Sequence, residues 1–207
     1  MRRLVIAPHM DDESLGCGGL IAKHRGECAV VVLTDSGPQR AAEHQAALAE
    51  LGLAEPSLAL GFPDGDLPGQ MRALVAALDE VLAEQRPDEV YLPFPSLHQD
   101  HIAAYEAGMR ACRLSMSEGH WFPPGVLVYD IAAYDVNLYQ SDLRWNVFET
   151  LTEQQVRAKA AACAAYGSEI PDGAHPMRSI VEMAAAIGTV RKVAYAEQYA
   201  LVRSLRP

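Results

Sequence analysis

Along the first half of the chain, short apolar runs alternate with segments of helical periodicity, and this alternation narrows the fold more than any other feature. Leu4–Ala7 and Ala29–Leu33 contain no polar residue, as strands buried on both faces require. Leu58–Leu60 and Glu89–Leu92 are shorter candidates of the same kind. Between them, Ser14–Arg25, Gln39–Leu51 and Met71–Glu84 carry apolar residues at helical spacing, and His101–Arg113 follows as a further helix. Gly52 stops the second of these helices, and Pro87-Asp88 ends the third. A β-α-β-α-β-α-β-α order builds a parallel sheet with helices on both faces.

The expected fold class is therefore α/β, a Rossmann-like three-layer sandwich with a mostly parallel central sheet. The last third is less regular. Val126–Tyr134 reads as one or two strands, and Glu153–Ala165 and Met177–Ile187 as helices. No repeat or linker interrupts the chain, so residues 1–207 are expected to form one domain. With 207 residues, half of them apolar, the chain has the means to bury a sizeable core. Its formal charge of −10, from 17 basic and 27 acidic residues, argues against nucleic acid or an anionic membrane as a partner. The four cysteines form no CxxC pair and read as small buried hydrophobes. The N-terminal apolar run is too short for a signal peptide, and no window is long enough for a membrane span, so a cytoplasmic location is expected.

Two clusters carry the chemistry, each directly after a strand, where open α/β sheets bind ligands. Pro8-His9-Met10-Asp11-Asp12-Glu13 crowds three acids and a histidine, which is unfavourable unless a cation is bound or one acid stays protonated. His9 and Asp12 are three apart, so one turn aims both at a single ion and leaves Asp11 pointing elsewhere. Ser96-Leu97-His98-Gln99-Asp100-His101 follows the fourth strand. Two histidines and a carboxylate leave open positions on a metal, the layout of a catalytic zinc site, whose bound water ionises near neutral pH. A free carboxylate beside it can take the proton, and a second histidine can steady an oxyanion. His24, His44 and His120 stand apart from these clusters, and His175 lies in a Gly/Pro-rich loop. Trp121, Trp145, Tyr134 and Tyr139 have the faces to stack on a sugar, although packing is their commoner use.

APHMDDESLGCGG closely resembles the N-terminal signature of the PIG-L/LmbE-like zinc-dependent N-deacetylases, with Met10 where proline is usual. LHQDHIAA resembles their second signature, and Arg40-x-x-Glu43, Gly61–Leu67 and Ala196-Glu197-Gln198-Tyr199 resemble lesser family features. The resemblance implies that His9, Asp12 and His101 hold one Zn2+ per chain, a site compatible with other divalent metals. It implies Asp11 as general base, later protonating the departing amine, and His98 as the imidazolium that steadies the oxyanion. Asp100 would orient a neighbouring imidazole, Glu13 would support from behind, and Arg40 and Asp64 would contact the sugar. Ser96 and Leu97 stand where some members carry a tyrosine suited to the oxyanion.

The function expected is hydrolytic removal of an N-acetyl or other acyl group from an amino-sugar conjugate, such as an N-acetylglucosaminyl compound. The partner is then a small N-acetylated molecule, and a homo-oligomer is compatible with the sequence. Three other readings compete. A non-haem Fe(II) oxygenase also uses two histidines and a carboxylate. A nucleotide-binding module would use Gly16-Cys17-Gly18-Gly19, but Asp11–Glu13 would repel a pyrophosphate there. A non-catalytic metal-dependent scaffold would need neither Asp11 nor His98.

Overall fold

A computed structural model of the chain describes residues 2–53, 56–131, 141–169 and 176–206. The first half follows the expected alternation: β1 (Arg3–Ala7), α1 (Asp12–Lys23), β2 (Cys28–Asp35), α2 (Gly37–Leu51), β3 (Leu58–Pro63), α3 (Met71–Gln85), β4 (Glu89–Pro93), α4 (Gln99–Ala111) and β5 (Gly125–Tyr129). The second half adds β6 (Trp145–Leu151), α5 (Glu153–Ala165), α6 (Pro176–Val190) and β7 (Tyr195–Ser204). His175, Tyr134 and Tyr139 lie outside the described residues.

The seven strands form one sheet in the order β3-β2-β1-β4-β5-β7-β6. The first five are mutually parallel, and β7 runs antiparallel to both β5 and β6. The sequence reading placed no strands at β6 or β7. Their residues mix exposed and buried positions without the apolar continuity of β1 or β2. From β1 the chain winds outward through β2 and β3, then crosses back to lay β4 on the other side of β1. That reversal opens a crevice between the carboxyl ends of β1 and β4.

The apolar run of β1 divides between two cores. Leu4 and Ile6 pack with Leu74, Leu78, Ala104 and Ala107 of α3 and α4. Val5 and Ala7 pack on the opposite face with Leu20, Leu48 and Ala162 of α1, α2 and α5. Burying each larger aliphatic side chain this way contributes about 1.5–3 kcal/mol. Helix α1 approaches the sheet unusually closely. A Cβ on Gly16 would overlap the Tyr129 ring of β5, and one on Gly19 would overlap Leu151 and Glu197. The Gly16–Gly19 run lies inside α1 and serves this contact, not a phosphate loop. The buried Glu197 of β7 fastens the same helix. Its carboxylate accepts from the Gly19 and Leu20 backbone N–H at 2.7 Å each, from Lys159 Nζ at 2.7 Å and from Tyr199 Oη at 2.8 Å. Cys17, Cys112 and Cys163 are buried thiols, and Cys28 is half-buried. Among the described residues, no helix is long and apolar enough to cross a membrane.

Candidate active site

The loop after β1 is pinned from β2. The Pro8 carbonyl accepts from both the backbone N–H (3.1 Å) and Oγ1 (2.9 Å) of Thr34. Met10, in the usual proline position, is buried in the core with Leu20 and Leu48. The restraint that proline's fixed φ would supply is thus provided by packing and two hydrogen bonds. Asp12 begins α1, and its Oδ2 accepts from the His9 backbone N–H at 3.0 Å.

The loop after β4 is ordered by its own side chains. His98 is the N-cap of α4, and its Nδ1 accepts from the Asp100 N–H at 3.2 Å. A ring accepting at Nδ1 carries its proton on Nε2, so His98 stands here as a neutral imidazole and not as the imidazolium that the resemblance implied. Ser96 Oγ lies 2.9 Å from His101 Nδ1, leaving Nε2 of that ring to face Asp12. Asp100 is fully buried and takes three donors: Gly65 N–H at 2.7 Å, Leu67 N–H at 3.1 Å and His9 Nε2 at 3.2 Å. It therefore ties the Gly61–Leu67 loop to α4 and turns His9 in the manner of a carboxylate behind a metal ligand.

The two loops meet. Asp12 Oδ2 lies 3.3 Å from His9 Nδ1 and 3.4 Å from His101 Nε2. Donor atoms at about 2.0–2.1 Å from a tetrahedral zinc are about 3.3 Å apart, a spacing that the Asp12–His9 and Asp12–His101 pairs match. His98 adds a third ring, and His9, His98 and His101 each offer a nitrogen within 4.8 Å of the others. His9, Asp64 and Asp100 also offer such a group. Asp100 is the poorer ligand because its oxygens are already occupied by N–H donors.

The electrostatics follow from crowding. Burial opposes charge on His9, but Asp12, Asp100 and Asp64 outweigh it and raise its pKa to about 9. Burial likewise opposes the Asp12 carboxylate, yet His101 and His9 hold its pKa below the ordinary value. Asp11 is pushed well up, by burial first and by Asp12 and Glu13 next, against the pull of Arg40 and His9. His98 is pushed down by burial and by the His101 and His9 rings beside it.

A cleft of about 390 Å³ opens above these residues. Asp11 stands on its wall, with Arg40 Nη1 3.9 Å from Asp11 Oδ2. Arg40 also pairs with Glu169 and lies over the Tyr166 ring, 5.5 Å from its centroid. Asp64 is half exposed, its Oδ1 3.3 Å from His9 Nε2. Glu43, one turn beyond Arg40, accepts from the Ser168 N–H (2.9 Å) and Oγ (2.6 Å), fastening the Gly167–Glu169 turn to α2. All eight residues singled out from the sequence, His9, Asp11, Asp12, Arg40, Asp64, His98, Asp100 and His101, fall within this one neighbourhood. Trp145 packs on Phe94, and Trp121 lies under Arg86.

One network escaped the sequence reading. Glu13, His44 and Tyr166 are joined beneath the cleft: Tyr166 Oη donates to Glu13 Oε1 at 2.6 Å and lies 2.8 Å from His44 Nδ1. His44 Nε2 continues to Ser57 Oγ at 2.7 Å. Burial disfavours the Glu13 carboxylate, but His44, Ser14 and Tyr166 hold its pKa below the ordinary value. His44 stands apart from both sequence clusters, so no local signal marks it. A larger cavity of about 570 Å³ lies near the amino ends of β1 and β2, far from this chemistry.

Residues 4–112 match the family described as PIG-L: GlcNAc-PI de-N-acetylase. The uncharacterized deacetylase YaiS of Escherichia coli (strain K12) is 30% identical over 174 residues, covering 77% of this chain and 86% of YaiS. The conserved protein TT1542 from Thermus thermophilus superposes with a TM-score of 0.77 at 27% identity, covering 100% of this chain and 97% of its own. The N,N'-diacetylchitobiose deacetylase from Pyrococcus horikoshii gives a TM-score of 0.78 at 20% identity, covering 97% of this chain and 83% of its own, a likeness of fold.

Proposed function

Since this chain belongs to the PIG-L family of de-N-acetylases, we propose that it is a zinc-dependent hydrolase removing an N-acyl group, acetyl in the first place, from an amino-sugar conjugate. The observation that carries this reading is the position of Asp12 Oδ2 within 3.4 Å of both His9 Nδ1 and His101 Nε2, with Asp11 beside them on the cleft wall. His9, Asp12 and His101 would hold the zinc. When bound, zinc supplies a water of lowered pKa and polarises the amide carbonyl. Other divalent metals suit the same donors. The amino-sugar class is supported by the family description and by the chitobiose deacetylase that shares the fold.

The chain's own residues then divide the work. Asp11 takes the proton of the attacking water and later returns it to the nitrogen as the C–N bond breaks, freeing amine and acetate. His98 directs its Nε2–H at the oxygen of the tetrahedral intermediate, the α4 cap at Nδ1 fixing that tautomer. Asp100 keeps His9 oriented, and Ser96 does the same for His101. Arg40 Nη1, buried without a hydrogen-bond partner, donates to a sugar oxygen, and Asp64 accepts from a hydroxyl at the cleft mouth.

Two findings weigh against the rival readings. The glycine run that a nucleotide would need is packed inside α1, and Asp11 has no task in a two-His-one-carboxylate oxygenase. The test is acetate release from N,N'-diacetylchitobiose by the purified protein. Release should stop with a chelator and return on adding zinc. A zinc-loaded protein that frees acetate from no N-acetylglucosaminyl compound would overturn the proposal.

A further inference from the structure

Resting on that reading, we infer that Tyr166 is a positioning residue for the substrate contact of Arg40: its ring seats the guanidinium, and its backbone holds the turn that pairs with it. An arginine side chain is long and freely rotating, so a guanidinium meant for one sugar oxygen has to be held before the sugar arrives. Tyr166 ends α5 and is only 2% exposed. Arg40 Cζ lies over its ring, 5.5 Å from the centroid, within reach of a cation–π contact. The Tyr166 carbonyl also accepts from the Glu169 N–H at 3.1 Å, and Glu169 pairs with Arg40. One residue therefore bears on the guanidinium twice, through its ring and through the turn that follows it.

The ring is itself fixed by its hydroxyl. A phenol has a single proton to donate. Tyr166 gives it to Glu13 Oε1 at 2.6 Å, so His44 Nδ1, 2.8 Å from the same oxygen, is the donor there. In a neutral imidazole Nε2 then accepts the Ser57 hydroxyl proton at 2.7 Å. The bonds from Ser57 through His44 and Tyr166 thus all point toward the Glu13 carboxylate, and bonds aligned in this way strengthen one another. Ser14 Oγ adds a further donor to Glu13 Oε1 at 2.6 Å. Helix α2 supplies the register. Arg40 and His44 are four apart and share a face of it, so the helix brings one to the face of the ring and the other to its hydroxyl. Glu43 ties the same helix to Ser168, so the turn that carries Glu169 moves with Arg40.

The test measures acetate release from N,N'-diacetylchitobiose by the zinc-loaded protein, with zinc content determined beside it. Tyr166→Leu removes the ring and should raise KM about tenfold, with kcat within about threefold of the native value and zinc content unchanged. In an Arg40→Ala background the same change should add less than about twofold, because the group it positions is gone. Tyr166→Phe keeps the ring and should restore most of the lost affinity. A series that conserves shape covers the case in which Tyr166→Leu does not fold. Progressively fluorinated phenylalanines at position 166 weaken the negative face of the ring, and KM should climb along the series. Equal losses in both backgrounds, or a KM indifferent to fluorination, overturn this inference and leave the hydrolase reading standing. No acetate from the native protein with any N-acetylglucosaminyl compound overturns the hydrolase reading itself.

Discussion

Asp11 and Asp12 are sequence neighbours with opposite electrostatic fates. Asp12 faces two imidazoles that hold it ionised, whereas Asp11 is buried against like charges and readily keeps a proton. That split suits the roles proposed for them, Asp12 as a metal ligand and Asp11 as the acid–base group. Asp11→Asn is therefore expected to keep stoichiometric zinc and lose about 10²–10⁴-fold in kcat, measured by metal analysis beside acetate release. His98→Ala should keep zinc and lose roughly 10²-fold. His101→Ala should lose the metal itself, and full zinc occupancy in that variant would remove His101 from the ligand set. His9 supplies a pH dependence. In the zinc-free chain its pKa is raised to about 9, so below that pH zinc must displace a proton from the ring. Zinc affinity should rise about tenfold per pH unit between about pH 6 and 8 from this group alone. Calorimetry in buffers of different ionisation enthalpy would reveal the released proton, and pH-independent binding would refute the linkage.

Helix α1 is the element on which the site depends, and it is held at two points along its length. At its start Glu13 reaches Tyr166, the residue that ends α5 just before the Gly167–Glu169 wall. Near its middle, Glu197 binds the Gly19 and Leu20 N–H groups and neutralises the buried Lys159. Removing one partner of a buried ion pair leaves the other uncompensated, so Glu197→Ala should cost about 3–5 kcal/mol in urea unfolding. A loss under about 1 kcal/mol would mean that the pair contributes little beyond its shape. Glu13 makes a test of sign. Its pKa is lowered by folding, so its contribution is present above about pH 4.5 and is lost as pH falls through the folded-state value. The stability gap between the native protein and Glu13→Gln, about 1–2 kcal/mol at pH 7, should close on acidification in zinc-free samples. A gap that stays the same all the way down to pH values well below the ordinary carboxylate range would deny Glu13 its ionised role.

At the scale of the molecule, the proposed ion would bridge two loops that belong to opposite halves of a doubly wound sheet. Zinc at a hundredfold excess over its Kd should stabilise the folded state by about 2.7 kcal/mol. For a chain of this size that corresponds to roughly 5–10 °C in melting temperature, and a chelator should reverse the shift. The elements from β1 to α4 were legible because continuous apolar runs and helical periodicity are written between near neighbours. Both His/Asp clusters were legible for the same reason, since each sits at the end of a readable strand. Strands β6 and β7 were not, because their pairing rests on partners far along the chain and their faces are only partly buried. Nor was the Glu13–His44–Tyr166 network, in which His44 and Glu13 stand 122 and 153 residues from Tyr166. By itself the sequence determined which side chains carry charge and metal-binding atoms and which strand ends they follow. Only the tertiary structure decided that His9 and His101 both approach Asp12, that Arg40 is already paired and that Glu169 borders the cleft. Such distances depend on how the chain turns back across the sheet, and no local pattern of residues encodes that turn.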